Sequence, residues 1–270
     1  MNDQHRRPGI AELRAVCQPE SVRGRKNAEH WSGFYMRDGS VHLTRLLVPT
    51  RITPNGVTGI MIVSGWCVGA SLLIPGIWGP ILAVLFGQLQ MFLDAVDGEL
   101  ARWRQRFSPA GIFLDRVAHY TTEGFVGLAL GLRAAGVIGG HPADVDPWKY
   151  AFLGALLMGG ILVNKSLNDM VHVARSLSGI ERLPDTAEAK AVPTTNLLGM
   201  ARRVFRFLPF HRIFHSVDLG LVALGLGIIG LILGNDQQVF RVAVTALVVL
   251  VWVAVVGHFL AIMASPRVKA

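Results

Sequence analysis

Acidic side chains fall inside apolar stretches in the segment LDAVDGELARWRQRFSPAGIFLDRVAHY, residues 93–120. Asp94 and Asp97 lie before its basic centre, and Asp115 lies after it. Charged groups are costly within a bilayer, so acids in segments apolar enough to enter one usually serve a function. The regular spacing then places His119 four residues after Asp115, where another acid would be expected.

The first acids belong to a set of residues with helical spacing. At relative positions 0, 3, 4, 7 and 8 stand Asp94, Asp97, Gly98, Ala101 and Arg102, which form one stripe on a helix face. The small residues leave room on this face for a flat ligand or for close helix contact. Arg102, at the end of the stripe, suits a bidentate grip on a phosphate.

A second stripe follows on the next apolar segment. Gly111, Asp115 and His119 stand at relative positions 0, 4 and 8. The two segments are expected to cross a bilayer in opposite directions. At 1.5 Å per residue, Asp94 lies roughly 12 Å before Arg102 and His119 roughly 15 Å into its own segment. We therefore expect the three aspartates to converge just below one membrane surface.

Three converging carboxylates repel one another and lose solvation unless something neutralises them. Oxygen ligands of this kind favour Mg²⁺ or Mn²⁺, and two such ions could also hold a pyrophosphate. The pattern therefore predicts a metal site for a nucleotide diphosphate. The structural alternative is that the acids pair with Arg102, Arg104 and Arg116 and hold two helices together.

The elements that must position these residues are predicted to be membrane helices. Hydrophobic residues make up 51% of the 270-residue chain and charged residues only 16%, with a mean hydropathy of +0.44. Soluble domains carry about 25% charged residues, and roughly 20 apolar residues cross a bilayer as a helix. The sequence predicts an all-α integral membrane protein with six transmembrane helices, at residues 56–75, 78–101, 110–135, 149–174, 217–234 and 239–263.

The distribution of basic residues predicts the orientation. Most of the 26 Lys and Arg residues lie in residues 1–54, 102–109 and 164–217 and in the C-terminal tail, which six spans put on one side. By the positive-inside rule that side is cytoplasmic, so we expect both termini and the site near the cytoplasmic face. In a bacterium this would be the cytoplasmic membrane. Anionic lipid headgroups then explain the net charge of +8 without a nucleic-acid partner.

Domain boundaries follow from the same pattern. Residues 1–44 are expected to be a cytoplasmic N-terminal segment, residues 45–265 the membrane domain and residues 266–270 a cytoplasmic tail. Residues 31–50 mix aromatic, apolar and basic side chains, which is typical of an amphipathic helix at the membrane interface. The tripeptide Thr53-Pro54-Asn55 is typical of a helix start and should open the first span.

The two stripes together resemble the signature of the CDP-alcohol phosphotransferase (CDP-alcohol phosphatidyltransferase) family. The pattern D-x2-D-G-x2-A-R-x8-G-x3-D keeps every spacing and departs from the signature only at position 119. The likeness covers about residues 45–265. It implies a six-helix membrane enzyme that transfers a phospho-alcohol from a CDP-linked donor to a hydroxyl acceptor and releases CMP. The expected donor is CDP-diacylglycerol, with a soluble CDP-polyol as the alternative, and a homodimer is expected by analogy.

The resemblance also implies roles for individual residues. Asp94, Asp97 and Asp115 would ligate two divalent ions, Mg²⁺ or Mn²⁺, that bridge the CDP pyrophosphate. The residues that would line the CDP-binding site are Asp94, Gly98, Ala101, Arg102 and Gly111.

His119 stands where the family has a fourth aspartate, which is taken to be the base that deprotonates the acceptor and a further metal ligand. Imidazole can ligate a metal or accept a proton near neutral pH. Glu123 lies one turn further on the same face, so it could orient His119 or replace it as the base. A third interpretation is a repurposed protein that binds CDP-lipids without catalysis, because the exchange removes one negative charge from the site.

Basic residues within or at the end of predicted spans are candidates to bind the acceptor, a polyol or polyol phosphate: Lys165, Arg175 and Arg116. A structural alternative is an i,i+4 ion pair between Lys165 and Asp169. A divalent-ion transporter is the rival function that intramembrane acids indicate. The acids cluster near one face and do not continue across the membrane, which favours the transferase.

Overall fold

Helices form all the regular structure in the part of the chain that the computed structural model describes, which is residues 7–19, 33–140, 142–143, 145–181 and 213–268. These residues contain eight α-helices and one short 3₁₀ turn at Pro266–Val268. The α-helices are α1 (Ile10–Cys17), α2 (Gly33–Leu47), α3 (Pro54–Leu72), α4 (Trp78–Arg104), α5 (Pro109–Ala135), α6 (Pro147–Leu177), α7 (Ser216–Leu233) and α8 (Asp236–Ala264).

Five of these helices are long and apolar enough to cross a membrane: α3, α4, α6, α7 and α8. Helix α5 has 27 residues, which is also long enough, but it carries the charged residues of the second stripe and is less apolar. Helices α3–α8 correspond to the six predicted spans within a few residues, so the all-α membrane fold is confirmed. The amphipathic helix expected within residues 31–50 corresponds to α2, whereas the sequence pattern did not predict α1.

Three helices begin with the same local device, a polar cap followed by proline. The side chains of Thr53, Ser108 and Asp146 accept hydrogen bonds from the backbone N–H groups of the first turns of α3, α5 and α6. Proline at the first helical position has its φ already set for the helix and needs no hydrogen-bond acceptor there. Each start is therefore fixed locally, including the start predicted at Thr53-Pro54-Asn55.

The link between α4 and α5 brings the two stripes together. Helix α4 ends at Gln105, which adopts a left-handed backbone conformation with φ 50°. The chain then enters α5 at Pro109, so α4 and α5 are joined by a tight connection. Because the helices run in opposite directions, the C-terminal part of α4 faces the N-terminal part of α5.

Glycines allow α5 and α6 to touch through their backbones. A Cβ atom on Gly154 would lie 2.8 Å from both Gly131 Cα and the Leu128 carbonyl oxygen. Such small-residue contacts are a common way for membrane helices to pack closely. They fix the distance between the helix that carries Asp115 and the helix that carries Lys165.

Helices α1 and α2 pack against each other and against the C-terminal half of α4, in a buried cluster that includes Leu13, Val41 and Leu100. The guanidinium of Arg104, at the end of α4, is buried and donates to backbone carbonyls of the α2–α3 loop. The acceptors are the carbonyl groups of Leu47, Val48, Thr50 and Ile52. These bonds satisfy carbonyls at the end of α2 and tie the loop to α4.

The glycine contact can be tested by adding a single methyl group. Gly154→Ala should destabilise the protein by about 1–3 kcal/mol, because the new Cβ overlaps the α5 backbone. Gly159→Ala on the same helix is the matched control, since nothing lies within 4 Å of its Cβ position. The measurement is thermal unfolding in detergent. Equal melting temperatures for the two variants would contradict the close backbone contact.

Candidate metal and nucleotide site

Asp94 of α4 meets Asp115 and His119 of α5 at the point where the two stripes face each other. The Nε2 atom of His119 lies 3.3 Å from Asp94 Oδ1 and 3.5 Å from Asp115 Oδ1. One ligand atom from each of the three residues lies within 4.8 Å of the other two. The three side chains are partly buried, so a small ligand could reach them without opening the helices.

Asp97 lies one turn along α4 from this cluster and is held by a different helix. Thr58 of α3 donates a 2.6 Å hydrogen bond to Asp97 Oδ2. This bond fixes one carboxylate oxygen and leaves the other with lone pairs for a further ligand. Sequence spacing did not indicate Thr58, because its contribution depends on how α3 packs against α4.

The donor atoms fit a divalent ion. In an octahedral Mg²⁺ site with bonds of about 2.1 Å, adjacent ligand atoms lie about 3 Å apart. The 3.3 and 3.5 Å separations around His119 Nε2 are close to this value. Two carboxylates and an imidazole also suit Mn²⁺. The residues present are therefore compatible with the metal site that the sequence predicts.

The small residues of the stripes lie next to polar groups. The guanidinium of Arg102 folds over Gly98, where an added Cβ would lie 3.2 Å from Nη1. The Nε atom of Arg102 donates a 2.6 Å bond to the Cys17 carbonyl of α1. At the start of α5, a Cβ on Gly111 would lie 3.1 Å from Asn55 Oδ1. Ala101 is half-buried in the same turn of α4 as Arg102.

Residues 51–165, which include both stripes, match the family model of CDP-alcohol phosphatidyltransferase. These residues form a CDP-alcohol phosphatidyltransferase domain. The resemblance expected from the signature is thereby confirmed, and the family activity is transfer of a phospho-alcohol from a CDP-alcohol. No curated protein sequence matches the chain. The domain extends from the start of α3 into α6, so α1, α2, α7 and α8 lie outside it.

Glu123 lies in the same domain, but its hydrogen bonds are made away from His119. Its buried carboxylate is 2.6 Å from Lys165 Nζ of α6 and 3.1 Å from His215 Nδ1, just before α7. This group links three helices and leaves Glu123 only 3% exposed. Sequence reasoning identified Glu123 and Lys165 separately. It missed His215, which lies 92 residues after Glu123 in the chain.

Arg116 and Asp169 form an ion pair beside the metal cluster, with Arg116 Nη1 3.2 Å from Asp169 Oδ1. Tyr120 donates to the other oxygen of Asp169 at 2.9 Å. Asp169 is therefore paired with α5. It does not form the i,i+4 ion pair with Lys165 that helical spacing allowed. A pocket of about 400 Å³ opens here, lined by Arg116, Asp169, His172, Val173, Ser176 and Ile180.

Arg175, the third candidate for acceptor binding, is hydrogen-bonded to backbone carbonyls. Its guanidinium donates to the backbone carbonyls of Glu181, which follows α6, and Arg267, which follows α8. These bonds connect the ends of α6 and α8. The structure therefore brings Arg116 and Lys165 near the domain's acidic residues, while Arg175, further along α6, contacts backbone carbonyls beyond the ends of α6 and α8.

Removing the Thr58 hydroxyl tests whether this group orients Asp97. If Asp97 binds a metal, as the resemblance implies, Thr58→Val should weaken Mn²⁺ binding by about 10–100-fold, the usual effect of losing an outer-shell partner. Thr58→Ser keeps the hydroxyl and should retain most of the affinity. Electron paramagnetic resonance of free Mn²⁺ measures both. Similar losses in the two variants would contradict a role for the hydroxyl.

Proposed function

We propose that the chain transfers a phosphatidyl group from CDP-diacylglycerol to the hydroxyl of a polyol or polyol phosphate, with release of CMP. In this reaction the acceptor oxygen bonds to the lipid-bearing phosphorus, the bond from that phosphorus to the CMP oxygen breaks, and the acceptor's hydroxyl proton is released to solvent. The observation that carries the proposal is the meeting of Asp94, Asp115 and His119 inside a CDP-alcohol phosphatidyltransferase domain. A lipid-linked donor suits a site formed by membrane-spanning helices, whereas a soluble CDP-polyol would not need one.

Asp94, Asp97 and Asp115 would hold two divalent ions, Mg²⁺ or Mn²⁺. When bound, such ions supply positive charge that stabilises the attacked phosphorus and the departing CMP. The three carboxylates come from α4 and α5, which both pack extensively against α3. They therefore present their oxygens in a set geometry before the donor arrives, which reduces the cost of aligning it.

Gly98, Ala101 and Gly111 would leave space for the cytidine diphosphate, and Arg102 would bind one of its phosphates. The position of the Arg102 guanidinium over Gly98 supports this, because a larger residue at 98 would push it away. Arginine binds phosphates through parallel hydrogen bonds, which adds directional specificity to charge attraction.

We assign His119 to the position of the missing fourth acid, as a metal ligand through Nε2. The short distances from Nε2 to two carboxylates support the ligand role more directly than the role of base. Glu123 is less suited to replace it, since its carboxylate is already shared by Lys165 and His215.

For the acceptor we propose the pocket beside Arg116, with Lys165 as a second cation. Arg116 is about half-exposed and lies next to Asp115 in sequence, so a phosphate on the acceptor could approach the metal cluster along this side. Arg175 would have to give up its carbonyl partners to contribute, which makes it the weakest of the three candidates.

We also propose how the protein is oriented in the membrane and how it assembles. The clustering of basic residues supports cytoplasmic termini and a site near the cytoplasmic face. Residues 45–265 would form the membrane domain with residues 1–44 before it, although α2 continues to Leu47 across that boundary. A homodimer is proposed by analogy with the family.

The activity can be tested by measuring CMP release from protein in liposomes that contain CDP-diacylglycerol, Mn²⁺ or Mg²⁺ and a mixture of polyols and polyol phosphates. Asp94→Asn should reduce release by at least about 100-fold, because it removes a charged ligand from the metal site. Asp146→Asn is the matched control, since asparagine also caps a helix well. In one parallel assay EDTA removes the divalent ions, and in another a soluble CDP-polyol replaces CDP-diacylglycerol as the donor.

Each outcome of this assay separates the candidate functions. CMP release only from the soluble donor would favour the CDP-polyol alternative. Absence of CMP with both donors would contradict the transferase, and divalent-ion flux into the liposomes would then support a transporter. Binding of CDP-lipid without turnover would indicate the repurposed protein.

Substitutions of His119 test its role as a ligand. His119→Ala should raise the Mn²⁺ concentration for half-maximal activity by at least about tenfold, the lower end of the effect of losing even an outer-shell partner. His119→Asp supplies another metal ligand, so its Mn²⁺ concentration for half-maximal activity should stay nearer to that of the unaltered protein. The measurement is a Mn²⁺ titration of CMP release. If His119→Ala lowers kcat at saturating Mn²⁺ without changing the requirement, the residue acts as the base instead.

A further inference from the structure

Helix α1 lies outside the matched domain but packs on the turn of α4 that carries Gly98 and Arg102. Leu13 and Cys17, on its inner face, are fully buried against α2 and α4. Burial, reinforced by the negative charge of Glu99, raises the pKa of the Cys17 thiol to about 12. The thiol is therefore neutral and serves as an apolar packing group.

The contact with the nucleotide site is made by the Cys17 backbone. Its carbonyl oxygen accepts a 2.6 Å hydrogen bond from Arg102 Nε. The two terminal nitrogens of Arg102 have no hydrogen-bond partner among the described residues, and they lie over Gly98. The carbonyl thus anchors the base of the guanidinium and leaves its outer edge free, which is the edge that grips a phosphate end-on.

Helix α1 is itself held by the same turn of α4. Gln18 Nε2 donates to Glu99 Oε1 at 2.7 Å and to the Arg37 carbonyl of α2 at 2.6 Å. Glu99 is 1% exposed, and its carboxylate also accepts bonds from Ser40 and Thr44 of α2. At the other end of α1, Arg45 donates to the Pro8 carbonyl at 3.0 Å. The position of the Cys17 carbonyl is therefore set by the seating of the whole helix.

We propose that α1 is a positioning element of the donor site: while α1 is seated, the Cys17 carbonyl holds the Arg102 guanidinium ready for the diphosphate of a cytidine nucleotide. The proposal rests on the proposed role of Arg102 in donor binding. Fixing a long, flexible side chain in its bound geometry beforehand reduces the entropy lost on binding. Unseating α1 should weaken nucleotide binding and leave the metal cluster and the chemical step in place.

The test uses the full chain with one charge placed on either face of α1. Leu13→Asp buries a carboxylate and should unseat the helix, whereas Ala15→Asp puts the same group on its exposed face. Calorimetry in detergent with Mn²⁺ measures the Kd for CDP. Leu13→Asp should raise it by about tenfold, the effect of losing a hydrogen bond to a charged group. Ala15→Asp should leave it unchanged.

Kinetics distinguish positioning from general damage to the fold. With CDP-diacylglycerol as donor, Leu13→Asp should raise KM in proportion to the Kd for CDP and change kcat much less. Arg102→Ala should weaken CDP binding by itself, and adding Leu13→Asp to it should produce little further loss, because the two changes remove one interaction. Fully additive losses, or an unchanged Kd in Leu13→Asp, would overturn the proposal.

A milder variant keeps the test decisive if Leu13→Asp does not fold. Gln18→Ala removes the bonds to Glu99 and Arg37 without burying a charge, and it should shift the Kd in the same direction by a smaller factor. A Kd equal to that of Ala15→Asp would overturn the proposal. If the unaltered protein binds no CDP, the proposed function fails together with the inference. If CDP binding depends on Arg102 but not on α1, the inference alone fails.

Discussion

Carboxylates enclosed by apolar helices need partners, and this constraint organises the polar structure of the protein. Glu99 is surrounded by hydroxyl and amide donors from α1 and α2, and Glu123 by a lysine and a histidine from α6 and the start of α7. Asp94 and Asp115 instead share the imidazole of His119. The first two acids are satisfied by protein groups that close around them. The pair at His119 keeps partial exposure, so a ligand that brings positive charge could reach it.

Apolar run length was sufficient to predict α3–α8, and helical spacing to predict that Asp94, Asp115 and His119 would lie close together. A helix has a fixed rise and turn, so residues four apart must share a face whatever surrounds them. This is why Asp94, Asp115 and His119 could be expected to meet, and why six apolar runs predicted α3–α8. Capping residues before proline also act locally, so the start of α3 at Thr53 could be predicted from three residues.

Contacts between helices distant in sequence could not be predicted in the same way. Thr58 reaches Asp97 only because of the rotation of α3 against α4, and that rotation depends on packing along both helices. Helical spacing allowed a pair between Lys165 and Asp169, yet each contacts a different residue of α5. Helix α1 was missed because eight residues of mixed polarity carry too little periodic signal to stand out.

Because Arg104 is bonded to the α2–α3 loop, the length of that loop helps to set where α2 lies relative to α4. One guanidinium donates to four carbonyls between Leu47 and Ile52, so these bonds depend on the present length and conformation of the loop. Inserting or deleting a residue there would shift α2, and with it α1, relative to the end of α4. A change in loop length would thus alter the surroundings of the proposed nucleotide site without any change in the signature residues.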